Sequence, residues 1–133
     1  MNISILISSI ENPVNTYIDK WVEKNKNHQI SIIHSKEELT SGDILFLISC
    51  SDIISKLERG KFMKTLVIHA SDLPHGRGWS PHVWEIINGA TDITLSLLEA
   101  EDKVDTGDIW RKTIVSIPKT ALFDEINDLI FNS

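Results

Sequence analysis

His69 closes the apolar run T-L-V-I-H and is followed by A-S-D-L-P-H-G-R-G-W, a loop rich in proline and glycine. Further along, V-D-T-G-D sets Asp105 in a turn between two apolar segments. A histidine titrates near neutral pH and can pass a proton or donate to a developing negative oxygen. A carboxylate beside it fixes its charge and takes up protons. Taken singly, each residue has a plainer explanation, a backbone-bonded histidine or an ordinary Asp-Gly turn. Taken together, with His69 at a strand end before a glycine loop, they indicate chemistry.

The surrounding residues are weighed in the same way. Gly76 and Gly78 flank Arg77 and allow positive φ and close backbone approach to a ligand. Arg77 either braces that loop through carbonyls or binds an anion, and bracing is the preferred reading. His75 and His82 could join His69 on a metal, but no acid or histidine stands at helical ligand spacing. Glu99, Glu101, Asp102 and Asp108 lack the D-x-D-x-D-G spacing of a calcium loop. No metal is expected. Trp79 and Trp84 are read as packing residues.

Positioning these groups requires alternating strands and helices. Asn2–Ser8 alternates as a strand, and Asn12 with Pro13 opens a helix whose inner face is Val14, Tyr17, Ile18, Trp21 and Val22. Strands are expected at 29–34, 43–49 and 65–69, with a short helix at 53–58. Ser80 and Pro81 open a helix that Asn88-Gly89 closes, with Val83, Trp84, Ile86 and Ile87 toward a core. Strands at 93–98 and 109–117 flank the acidic turn. Thr120 caps a last helix with Leu122, Phe123, Ile126, Leu129 and Ile130 inside. The expected fold is an α/β, Rossmann-like, mostly parallel sheet with helices on both faces, a single domain over 1–133. Sites in such sheets form beyond the carboxyl ends of the strands, where His69 stands.

Composition narrows the classes. A chain of 133 residues buries roughly two thirds of its unfolded surface and needs no metal or disulfide to fold. Cys50 is the only cysteine, so a disulfide framework and a cysteine zinc site are excluded and a reducing cytoplasm is the expected setting. No apolar run approaches the ~20 residues that span a bilayer. The start reads as a strand, not a signal peptide, and the finish on an apolar helix face leaves a true end and a fragment both open. A formal charge of −6 disfavours a nucleic-acid partner. Lys56, Arg59, Lys61 and Lys64 read as a solvated helix face.

The segments V-I-H-A-S-D-L-P, R-G-W-S-P-H-V-W and V-D-T-G-D-I, taken in order, resemble the formyltransferases that use 10-formyltetrahydrofolate. That family includes glycinamide ribonucleotide, methionyl-tRNA and sugar-nucleotide N-formyltransferases. The resemblance covers about the last two thirds of the chain. It implies that His69 and Asp105 are catalytic, and that Ser51, Asp52, Ile53 and Ile54, with Val104, line the folate site. Ser71, Leu73, Pro74, Arg77 and Gly78 then form the substrate loop. It further implies a small-molecule amine as acceptor, with an amino sugar nucleotide of a surface glycan closest in wording, and leaves a homodimer open. The sequence departs from the family at Val67, where the resemblance places a catalytic asparagine. Either Ser71 or a water substitutes, or the chain is a non-catalytic folate-binding relative. A second departure puts Asp92 in T-D-I-T where the family has glycine.

Overall fold

The computed structural model describes residues 1–133. Six strands form one sheet: β1 (Asn2–Leu6), β2 (Gln29–Ile33), β3 (Gly42–Ile48), β4 (Phe62–His69), β5 (Asp92–Glu99) and β6 (Ile109–Ser116). Their spatial order is β2-β1-β3-β4-β5-β6. The first four are parallel, whereas β5 runs antiparallel to both β4 and β6. The chain order reverses between β1 and β3, the kind of switch point at which open α/β sheets place ligands.

Period-2 alternation sorts the strand residues between the two faces. Leu6, Leu45 and Leu47 share one face and pack with Leu39 and Ile54, joined by Phe62 from the start of β4. Ile3, Ile5 and Ile7 pack with Val14 and Ile18 on the other, along with Phe46 and Ile48. Each fully buried Leu or Ile contributes about 1.5–3 kcal/mol by leaving water. A third cluster, Ile93, Val115, Ile117 and Ile130, extends the core under the antiparallel strands.

Four helices complete the layers: α1 (Val14–Lys24), α2 (Lys56–Arg59), α3 (Pro81–Ile87) and α4 (Phe123–Phe131). Asn12 Oδ1 accepts from Val14 N at 2.9 Å, so the N-terminal signal of α1 works as expected. The Tyr17 hydroxyl donates to Asp128, tying α1 to α4. No helix is long and apolar enough to cross a membrane.

Several expected elements shift. The 53–58 helix shrinks because Ser55 and Glu58 cap each other's backbone, with Glu58 Oε2 accepting from Ser55 N at 2.7 Å. That cap leaves Ile53 and Ile54 outside the helix. Pro118–Ala121 forms a turn of its own, so α4 begins after Leu122 and not at Thr120. Leu122 and Phe123 consequently lie in solvent, while Ile126 and Ile130 face the core. Asn88 and Gly89 end α3 as expected, Gly89 having φ 92°. The inner face of α3 is narrower than its apolar pattern suggests. Only Pro81 and Ile86 pack inward, and Trp84 is 65% exposed. A seven-residue helix at the rim of the sheet presents one contact stripe, and Val83, Trp84 and Ile87 fall off it.

The contrast is measurable by denaturant unfolding. Leu45→Ala, at a fully buried site, should cost about 2–5 kcal/mol. Trp84→Ala should stay within about 0.5 kcal/mol, as exposed positions do.

Candidate active site

A cavity of ≈ 370 Å³ opens where β1, β3 and β4 end. Ser49–Ile54 form one part of its lining, Glu99–Glu101 with Val104 and Asp105 another, and Gly78–His82 a third. Leu47, Val67 and His69 contribute from the sheet. Thus Ser51, Asp52, Ile53, Ile54 and Val104, all expected at the folate site, line one cavity with His69 and Asp105.

His69 sits on the same sheet face as Val67 because strand side chains alternate, and it pairs across the antiparallel ladder with Ser96. Its side chain is only 10% exposed and that of Asp105 only 4%. The His69 Nε2–H donates to the Gly76 carbonyl at 2.7 Å, while Asp105 Oδ2 lies 3.5 Å from the same nitrogen. Asp105 Oδ2 also accepts from Gly78 N at 2.9 Å. The carboxylate is therefore fixed on the glycine loop, with its Oδ2 facing the imidazole.

Asp105 reaches His69 by an unusual path. Ala100 N donates to Thr65 O, so the chain leaving β5 starts four residues back along β4. The loop must then run about 13 Å toward His69. Asp105 turns with φ 57°, a conformation Asp tolerates better than most residues. Gly107 closes the return, with a Cβ there only 1.8 Å from Glu99 O. The D-T-G sequence is thus a packing requirement as well as a chemical one.

The substrate-loop residues divide. Gly78, φ 101°, lines the cavity and supplies the N–H for Asp105. Ser71 and Leu73 are buried instead, and neither they, Pro74 nor Arg77 lines the cavity. The reason is local: Gly76 approaches so closely that a Cβ would come within 2.8 Å of Ser71 Cβ, which seals the serine inside. Ser71 therefore cannot substitute for an asparagine at position 67. Arg77 braces, its Nε donating to Asp105 O at 3.3 Å.

Sequence reasoning missed the residues that hold the walls. Arg59 is not part of a solvated face. It donates to Ile54 O and pairs with Asp102, both at 2.6 Å, joining two walls of the cavity. Lys64 lies on β4 and pairs with Glu99 at 2.7 Å. Lys112 grips the loop through Asp72 Oδ1 at 2.5 Å and Leu73 O at 2.7 Å, and holds the Asp72 carboxyl below its usual range. Ser96 Oγ donates to Ser71 O at 2.7 Å inside the core. Only the alternation of β5 and β6 could have hinted at Ser96 and Lys112, which share the His69 face. His82 lines the cavity, and burial together with nearby His69 lowers its pKa. Cys50 is unpaired and half-buried, and burial pushes its thiol up. No group of three His, Cys, Asp or Glu side chains comes together as a metal site.

Gly107→Ala should displace the acidic turn and cost at least about 1 kcal/mol by denaturant unfolding, with a larger loss of Asp105-dependent function. His82 generates a pH dependence. Its lowered folded value means that the unfolded chain binds the extra proton as pH falls below about 6.5. Stability should therefore decline on acidification between pH 6.5 and the folded value, and His82→Gln should flatten that limb in thermal melts.

Comparison with known proteins identifies the family. A family model described as formyl transferase matches residues 2–130. The chain is 32% identical over 111 residues to methionyl-tRNA formyltransferase of Clostridium acetobutylicum, covering 82% of this chain and 35% of that protein. It therefore spans about a third of the length of that curated relative. Methionyl-tRNA formyltransferase from Clostridium thermocellum superposes with a TM-score of 0.80 at 29% identity, covering all of this chain and 62% of that one. HypX from Aquifex aeolicus in complex with tetrahydrofolic acid superposes at 0.72 with 25% identity, over 89% of this chain and 22% of that one. The chain belongs to the formyl transferase family.

Proposed function

We propose that this chain transfers a formyl group from 10-formyltetrahydrofolate to the amine of a small substrate, an amino sugar nucleotide used in surface glycan assembly. The observation that carries the reading is the His69–Asp105 pair, 3.5 Å apart at the wall of a cavity that also includes the 49–54 loop. The cavity suits the donor. Leu47, Ile54, Val67 and Ala100 offer apolar surface for a flat heterocycle, and the backbone of the loops offers partners for its polar edge. The solved HypX complex with tetrahydrofolic acid supports the ligand class.

The donor supplies a formyl carbon bonded to nitrogen. The acceptor nitrogen bonds to that carbon, the old carbon–nitrogen bond breaks with its electron pair left on the donor nitrogen, and one proton passes from acceptor to donor. The His69 Nε2–H shifts from the Gly76 carbonyl to the formyl oxygen as negative charge grows there. Asp105 orients the imidazole and relays the acceptor's proton. Gly78 N–H holds Asp105 in place for both tasks.

The sugar acceptor rests on the wording R-G-W-S-P-H-V-W, and Trp79 on the cavity rim is 62% exposed, free to meet a ring. The name of the Clostridium acetobutylicum relative favours methionyl-tRNA as the second reading. Against it, Arg59, Lys64 and Lys112 beside the site already pair with Asp102, Glu99 and Asp72. An unpaired, half-buried Cys50 supports a reducing compartment such as the cytoplasm.

Single-turnover assays with 10-formyltetrahydrofolate against amino sugar nucleotides, glycinamide ribonucleotide and methionyl-tRNA identify the acceptor. His69→Ala and Asp105→Asn should each slow transfer by at least about 10²-fold while tetrahydrofolate still binds. If both variants lose formyl groups at the wild-type rate, the chain is a folate-binding module and not an enzyme.

A further inference from the structure

Val67 leaves a gap in the site that the rest of the cavity has to fill. It stands on the same face of β4 as His69 and lines the cavity, but valine has nothing to donate. A formyl oxygen resting against His69 meets hydrocarbon where a second hydrogen bond belongs. Ser71 is sealed beneath Gly76, so its hydroxyl does not reach. The side chain that does line the cavity with a free ring nitrogen is His82, in the first turn of α3.

The environment of that ring decides which nitrogen carries the proton. His82 Nδ1 is enclosed and has no hydrogen-bond partner. An N–H there is a buried donor without an acceptor, which disfavours that tautomer. A bare lone pair is the cheaper arrangement, since under-satisfied acceptors are tolerated better than orphaned donors. The proton accordingly sits on Nε2, the ring nitrogen that is not enclosed in this way. Burial and the neighbouring His69 hold the ring neutral at pH 7. A neutral ring that keeps its Nε2–H can donate without adding charge beside His69, so the two histidines can act on one oxygen together.

We propose that His82 Nε2–H is the second hydrogen-bond donor to the formyl oxygen, replacing from α3 the bond that Val67 cannot make from β4. This assignment rests on the formyl-transfer reading above. It makes the site a two-histidine oxyanion pocket built across a strand and a helix.

The test uses the whole chain with 10-formyltetrahydrofolate as donor and hydroxylamine as a generic amine acceptor. His82→Leu should lower kcat about 10²–10³-fold, the usual effect of removing one oxyanion donor. Tetrahydrofolate affinity, read by tryptophan fluorescence, should change less than about threefold. His82→Gln, which keeps an N–H, should retain more activity than His82→Leu. Val67→Asn should restore at least about tenfold in the His82→Leu background and do little in the wild type. Independently of turnover, histidine-selective ¹⁵N spectra of the wild-type chain at neutral pH should show His82 protonated at Nε2 and bare at Nδ1. An Nδ1–H or doubly protonated His82, or an active wild type matched in kcat by His82→Leu, overturns the assignment. A wild-type chain that transfers no formyl group overturns the proposed function itself, and this inference with it.

Discussion

The antiparallel pairing of β4 with β5 is the constraint on which the site depends. It ends the parallel run of the sheet and sets His69 opposite Ser96. It also returns the chain to Thr65 on leaving β5, well short of the histidine. The acidic loop can reach His69 only by folding back over the sheet, and it can fold back only if residue 107 has no side chain. One register thus fixes the histidine's face, the loop's path and the need for glycine. A one-residue slip would turn Val67 and His69 away from Leu98 and Ser96.

Around that pairing the cavity is held mainly by polar contacts from outside it. Lys112 and Ser96 reach across from β6 and β5 to fix the loop after β4, and Arg59 binds the 54 carbonyl and the 102 carboxylate. The apolar core lies to one side of these contacts and carries most of the folding free energy. Pairs as exposed as Lys112–Asp72 add little stability. Their effect is on geometry, since each carbonyl they hold belongs to a chain segment without a regular partner.

The parts of this arrangement governed by local rules were legible in the sequence. Alternation located the strands, Asn12 located the start of α1, and Asn88-Gly89 located the end of α3. The motif around His69 and Asp105 gave the two residues that the structure brings within 3.5 Å. What stayed hidden depends on direction. Ser71 and Leu73 belong to the same motif as His69, yet the loop turns them inward, and only the Gly76–Ser71 contact reveals it. Trp84 has a core residue's character and a surface residue's exposure because α3 is too short to bury a wide stripe. Lys112 acts on the 72–73 segment and Arg59 on Asp102, each about forty residues away, and alternation alone gives the face of Lys112 but not its partners. His82, dismissed as a metal ligand for lack of helical spacing, matters because of where α3 sets it.

Arg59 has a dynamic consequence. Its guanidinium holds the Ile54 carbonyl with one nitrogen and the Asp102 carboxylate with another, so the two walls share a single rivet. Segments 51–54 and 100–105 are then one cooperative unit for local opening, although nearly fifty positions separate Ile54 from Asp102 in the chain. Their backbone amides should exchange with solvent on a common timescale, and widening the cavity for a bulky ligand means moving both walls at once.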